Sequence, residues 1–255
     1  MWKVCKYTLI DLARNRFALG YAVLLLAITV GLFMLEPDNT KALITLSQVV
    51  LALTPLLVLV FTVIWHFNQY EFTVLLAVQP LKRSAITRAQ YLAVSTALVL
   101  SFLIGVGLPL MAWAPGPIAF TLLLTGAALT LVFCALGLWI AVRQRDRARA
   151  VGIGLATWVT MMLLYDTFLL WVMFTFSDRP IEPLIIPLAA LNPIDLSRIL
   201  IMLRIDLAAL LGYTGAVYQQ FFGSGGGMLA SAAALLLWAA VPSMLATRAF
   251  ARKDL

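Results

Sequence analysis

The sequence predicts an all-α integral membrane protein with six transmembrane helices and both termini on the cytoplasmic side. Three observations carry this. Of 255 residues, 63% are apolar and only 11% charged, with a mean hydropathy of +1.01. A water-soluble domain carries about 25% charged residues to cover its surface, so lipid must solvate much of this chain. Six stretches reach the roughly 20 apolar residues that cross a bilayer core as helix. The basic residues, finally, fall between those stretches in alternation.

The spans are Phe17–Leu35, Leu43–Trp65, Tyr91–Trp113, Ile118–Val142, Ala150–Phe176 and Met228–Thr247, within a single transmembrane domain over 1–255. Lys3, Lys6, Arg14 and Arg16 precede the first as they would a signal peptide, but no small-residue cleavage site follows and five more spans do, so it reads as a retained helix. Segments 1–16, 66–90, 143–149 and 248–255 hold 14 of the 18 Lys and Arg, whereas 36–42, 114–117 and 177–227 hold only Lys41, Arg179, Arg198 and Arg204. By the positive-inside rule the first set is cytoplasmic. Pro55, Pro109 and Pro242 lie inside spans, and each removes one helical hydrogen bond.

The same residues exclude several functions. The net charge of +7 sits in short patches between spans, with no basic stripe interleaved with aromatics, so nucleic acid is not a partner. Cys5 and Cys134 form no disulfide framework or metal spacing, and His66 is the single histidine. No lysine follows a Gly-rich turn in the Gly-Lys-Ser/Thr pattern, so no phosphate loop is present; nor is an HExxH zinc motif. No catalytic or metal-binding residue is assigned.

Four segments carry information. At about 100° per residue, Trp2, Cys5, Leu9, Leu12 and Ala13 share one face, with Lys3, Asp11 and Arg14 on the other, which describes an amphipathic helix in the membrane interface. In the longest cytoplasmic loop Phe72, Leu75, Leu76 and Gln79 recur at helical spacing, Pro80 stops the helix, and Ser84 is placed to cap the next. The apolar residues of that short helix form a knob suited to a partner's groove, or to lying on lipid. Asp166 is the one ionisable residue deep inside a span, and no Lys or Arg lies within any span to pair with it. It must face the bundle or water, or be protonated, either bonded to another helix or a second copy or taking a role in gating or substrate contact. In the outer loop, 177–227, Asn192 caps a helix with Pro193 in its first turn and Asp195 at its positive end. Asp195, Arg198 and Asp206 fall within about 80° of arc, which predicts a helix on the outer membrane surface with a water-facing polar strip.

The Glu71-Phe72-x-x-Leu75-Leu76-x-x-Gln79-Pro80-x-x-Arg83 arrangement between the second and third spans resembles the coupling region of type-2 ABC exporter permeases. There, short cytoplasmic helices seat in separate nucleotide-binding subunits. The Arg143–Arg149 loop, Ala150-Val-Gly-Ile-Gly154, Leu164-Tyr165-Asp166, Asn192-Pro-Ile-Asp195-Leu-Ser-Arg198 and Leu211-Gly-Tyr-Thr-Gly-Ala216 resemble a narrower branch, the NosY-like permeases of nitrous oxide reductase maturation. Residues 68–74 depart from it, lacking the acidic, Gly-rich coupling helix of some members.

The resemblance implies an inner-membrane homodimer that binds ATP and magnesium only through a partner ATPase (NosF-like), with no cofactor in this chain. Glu71, Phe72, Leu75, Leu76, Gln79, Pro80, Arg83, Arg145 and Arg147 would couple to that ATPase. Asn192, Asp195, Arg198 and Asp206 would meet a periplasmic partner (NosD-like) in the maturation of copper sites. No paired Met or Cys lines a span as a copper conduit would require, so transmission of ATPase motion outward, or movement of a sulfur species, fits better. Export of another substrate (lipid, drug, gliding machinery), a non-transporting membrane scaffold and an intramembrane enzyme are the rival readings.

Overall fold

The computed structural model describes Thr8, Leu9, Leu12 and residues 16–79, 82–176, 187–204 and 225–252, and the regular structure of these residues is entirely helical. The helices are α1 (Arg16–Leu35), α2 (Asn39–Asn68), α3 (Tyr70–Val78), α4 (Arg83–Trp113), α5 (Pro117–Arg143), α6 (Arg147–Thr175), α7 (Pro193–Arg204) and α8 (Gly225–Ala251). Six of them, α1, α2, α4, α5, α6 and α8, are long and apolar enough to cross a membrane. The N-terminal amphipathic helix lies largely outside the described residues, although Leu12 of its apolar stripe is fully buried in the bundle core.

The helices overrun the apolar stretches because hydrogen bonding continues into the polar flanks. The 30 residues of α2 extend about 45 Å, against a hydrocarbon core of roughly 30 Å. Side-chain oxygens close the starts of two spans: Asp38 accepts from Thr40 N at 2.9 Å, and Asp146 accepts from Ala148 N and Arg149 N at 3.2 Å. Ser84 does not cap α4 as expected. Lys82 O already accepts from Ala85 N and Ile86 N, so Lys82 occupies the cap and Ser84 falls inside the first turn.

Two spans carry a π-helical turn, Leu103–Gly107 in α4 and Thr160–Leu164 in α6. The first precedes Pro109, whose ring removes an N–H and crowds the preceding turn; there Leu108 N–H reaches back to Leu103 O, one carbonyl further than in an α-helix.

The bundle is built around α5, which packs against α2, α4, α6, α7 and α8, with 56% of its most apolar window buried. Lipid tails are as apolar as leucine, so helices associate through close packing at small residues. Leu59 of α2 is the main wedge: its backbone oxygen lies 3.0 Å from where a Cβ on Gly137 of α5 would stand, and its Cδ2 2.4 Å from one on Gly154 of α6. Phe102 of α4, fully buried, fills the notch at Gly126 of α5. Polar ties cross the same interfaces, Trp158 Nε1 donating to Ala52 O (3.1 Å) and Tyr91 Oη to Leu131 O (3.2 Å).

The outer helix is the main correction to the expected fold. Its polar strip is not open to water: α7 is packed into the bundle against α2, α5, α6 and α8. Pro193 through Ser197, Ile199 and Ile201 are buried. Aliphatic residues on every side of this helix find protein partners there, and its charges are answered internally, as described below.

Packing at glycine notches gives a direct test. A Cβ on Gly105 would stand 2.7 Å from Ala22 O and 2.8 Å from Leu25 Cβ, whereas one on Gly20 meets nothing within 4 Å. Gly105→Ala should destabilise the purified protein by about 1–3 kcal/mol, the usual cost of overpacking, while Gly20→Ala should not; thermal unfolding in detergent reads both.

Candidate functional site

Two polar regions stand at opposite ends of the bundle. At the cation-rich end α2 passes into α3 through the single residue Gln69. The Thr73 hydroxyl donates to Gln69 O at 2.8 Å and receives Gln90 Nε2 of α4 at 2.8 Å, which pins α3 across the end of the bundle. Thr73 and Leu76 face inward, with Leu76 only 7% exposed. The outward residues are Phe72, Leu75 and Val78, exposed at 44%, 66% and 84%, with Glu71 and Gln79 beside them. The apolar knob is thus Phe72, Leu75 and Val78. Leu76, expected in it, is instead part of the seat, because a residue one position from Leu75 points about 100° away.

The arginine loop reaches the same place. Arg147 Nη1 donates to Asn68 Oδ1 at 3.3 Å, joining the start of α6 to the end of α2. Arg145 and Arg147 are exposed, Arg143 stacks over Trp139 at 5.5 Å, and Arg83 opens α4 half-buried. Pro80 lies outside the described residues.

At the cation-poor end Asp166 has a partner that the spans alone do not supply. Arg198 of α7 donates through Nη1 to Asp166 Oδ2, and the same nitrogen lies 3.2 Å from Asp195 Oδ1. The Asp195 and Arg198 side chains are 5% and 17% exposed, so the expected water-facing strip is turned inward onto α6. The 80° arc is present for these two residues, but it faces a carboxylate. Asp206 lies outside the described residues.

Asn192 organises this cluster. Its Oδ1 accepts from Ile194 N at 3.1 Å, the expected helix cap. Its Nδ2 donates to Asp195 Oδ2 at 2.8 Å and to Met161 O at 2.6 Å. Met161 belongs to the π turn of α6, where Tyr165 N–H bonds to Thr160 O and so passes over Met161 O, its α-helical acceptor. The carbonyl released by the bulge is therefore answered by Asn192. Tyr165 adds a further tie, its hydroxyl donating to Leu188 O at 2.6 Å.

Two carboxylates share one guanidinium in a largely dry setting, and the electrostatics follow. Burial pushes the Asp195 carboxyl up to about 7; the nearby Asp166 carboxylate pushes the same way, and Arg198 and Asn192 oppose only in part.

With this geometry in hand, residues 73–255 match the model of the ABC-2 family of transporter proteins. The chain belongs to that family. It is also similar to two proteins described as probable ABC transporter permease protein NosY. The one from Pseudomonas aeruginosa is 29% identical over 278 aligned positions, covering 100% of this chain and 99% of the relative. The one from Stutzerimonas stutzeri is 26% identical over 285, covering 99% and 98%. The chain is therefore the permease-type membrane subunit of an ABC transporter.

In this permease the candidate residues gather into two groups. Glu71, Phe72, Leu75, Gln79, Arg83, Arg145 and Arg147 share the cation-rich end; Asp166, Asn192, Asp195 and Arg198 form one connected cluster at the other. Sequence reasoning missed Asn68, Thr73, Val78, Gln90 and Met161. Asn68 and Gln90 left a signal, as uncharged amides at the polar margins of apolar runs.

The sign of the pH effect follows from Asp195. Between its ordinary acidic range and about 7 the folded protein binds a proton that the unfolded chain does not, so this contribution to stability is present in mild acid and lost as pH rises through 7. Purified permease should melt higher at pH 5.5 than at pH 8, and Asp195→Asn should flatten that difference. Arg198→Met should destabilise more than Arg198→Met combined with Asp166→Asn, a coupling on the order of 1–3 kcal/mol in a double-mutant cycle.

Proposed function

We propose that this chain acts as a homodimeric permease driven by two separate ATPase subunits, and that it passes nucleotide-driven motion to a periplasmic partner during copper-site maturation of nitrous oxide reductase. The observation that carries the coupling half is α3. A nine-residue helix exposing Phe72, Leu75 and Val78 at the cation-rich end, with its own seat fixed by Thr73, Leu76 and Gln90, is an apolar knob awaiting a groove. Arg147, bonded to Asn68 just before α3, and the exposed Arg145 two residues from it suit acidic groups on the same partner. The NosY names of the similar proteins and the outer-loop motifs support the maturation role.

The dimer reading rests on α6, which has only 11% of its most apolar window buried, against 56% for α5. The cytoplasmic assignment of α3 rests on the distribution of cations, and inner-membrane localisation follows from it.

Two measurements test this. A cysteine placed at Asp38 should react with an impermeant thiol reagent added to intact spheroplasts, and one at Arg145 only after lysis; the reverse pattern overturns the orientation. Phe72→Ala with Leu75→Ala should release the ATPase during detergent purification while the permease still elutes as a folded species. Undiminished co-purification and activity would remove α3 from the ATPase interface.

A further inference from the structure

A second feature of the cation-poor end belongs neither to the coupling face nor to the ion pair. A groove of about 540 Å³ runs between α5, α7 and α8. Its walls are apolar, and it opens sideways past Phe120, Leu124 and Leu236, each more than 60% exposed. Such a volume falls within the roughly 300–1,000 Å³ of small-ligand sites.

Its length and its charge both point to one occupant. On α5 the lining runs from Phe120 to Leu131 and on α8 from Met228 to Ala239, a rise of eleven residues in each case. At about 1.5 Å per residue that is about 16 Å, against about 15 Å for half of a hydrocarbon core. The groove thus extends from the start of two spans to about the middle of the bilayer. Arg204, the last residue of α7, stands at the outer end, where it donates to Met228 Sδ at 3.4 Å. Thioether sulfur is a weak acceptor, and among the described residues Arg204 pairs with no carboxylate. A fork of N–H donors at interface depth, above an apolar slot one leaflet deep, matches a phosphate above an acyl chain.

We propose that this groove is a specific site for an anionic phospholipid of the leaflet at the cation-poor face, its headgroup phosphate on Arg204 and one acyl chain between α5 and α8. A lipid seated there touches Leu200 and Leu203 of α7, just beyond Arg198, so it braces the helix that carries the ion pair.

The test uses the full-length permease with its ATPase, reconstituted in nanodiscs of phosphatidylcholine with or without phosphatidylglycerol and then extracted into mild detergent. Native mass spectrometry should find phosphatidylglycerol retained over phosphatidylcholine in the wild type and with Arg204→Lys. Arg204→Glu should cut that retention about tenfold, and Ala232→Trp, which fills the slot and leaves the charge, should do the same. Equal retention by wild type, Arg204→Glu and Ala232→Trp overturns the proposal. A photo-crosslinking residue at Leu124 should capture lipid; capture of protein instead, whether residues 205–224 of the same chain or a second copy, also overturns it.

Discussion

A bilayer core holds no water, so any backbone group that leaves the regular helical ladder has to find its partner in the protein. That constraint explains the half of the molecule around α6. The π turn at Thr160–Leu164 leaves Met161 O without its α-helical donor, and the side chain of Asn192 supplies one. The same amide holds Asp195, which with Asp166 brackets Arg198. Remove the bulge and Asn192 loses its acceptor on α6; remove α7 and both Met161 O and Asp166 lose their partners. The outer helix is packed against the bundle because the spans are incomplete without it. Its aliphatic faces then reinforce a position that polar satisfaction requires.

The opposite end obeys the same logic with different groups. There α3 is held crosswise by Thr73 and Gln90, so its apolar residues divide between a buried seat and an exposed face. Arg147 joins α6 to α2 at that level, through Asn68. One helix, α6, therefore begins at the proposed ATPase face and carries the outer ion pair in its second half. Between the two ends Gly154 meets Leu59 of α2, which also closes on Gly137 of α5. A close-packed wedge of this kind transmits displacement poorly through soft contacts and well through rigid ones, because cores of native density yield little. In the proposed mechanism, motion imposed on α3 and the arginine loop would pass along α6 towards Asp166.

Much of this was legible in the sequence, and the remainder was hidden for identifiable reasons. Hydropathy located all six long helices, since twenty apolar residues have few other uses, and Asn192 was readable as a cap from its place before Pro193. The orientation of α7 was misread. Asp195 and Arg198 do share a face, but composition cannot distinguish a face turned to water from one turned to a lone carboxylate on another helix. Asp166 needs a partner on its sequence alone, but no cation lies inside a span, and Arg198 comes from a connecting segment folded back into the bundle. Leu76 and Leu75 are chemically identical, and which of them faces the bundle depends on the angle at which α3 is pinned, set by the bond from Gln90 to Thr73, seventeen residues apart. Pro109 marked the first π turn only as a helix irregularity, and the second left no readable mark in composition or period.

The exposure of α6 completes the physical picture. This span holds an ion-paired carboxylate and a π turn, yet it is the least covered of the six. Its hydroxyls Thr157, Thr160 and Thr167 each return to the carbonyl four residues back, so they ask nothing of a neighbour. Its outward side chains, among them Leu163, Leu164, Phe168, Trp171 and Phe174, are large and apolar. Asp166 retains 38% side-chain exposure even with Arg198 in place, and exposing a charged group to hydrocarbon costs on the order of 2.5–3.5 kcal/mol. A face that is apolar along most of its length and carries one incompletely covered carboxylate is poorly served by lipid. A second copy of the permease laid along α6 would bury the aliphatic and aromatic side chains and close the remaining access to Asp166. In the proposed homodimer the outer ion pair then lies beside the interface, where a shift of α6 against its partner would change the surroundings of Asp166 and Arg198 on both sides together.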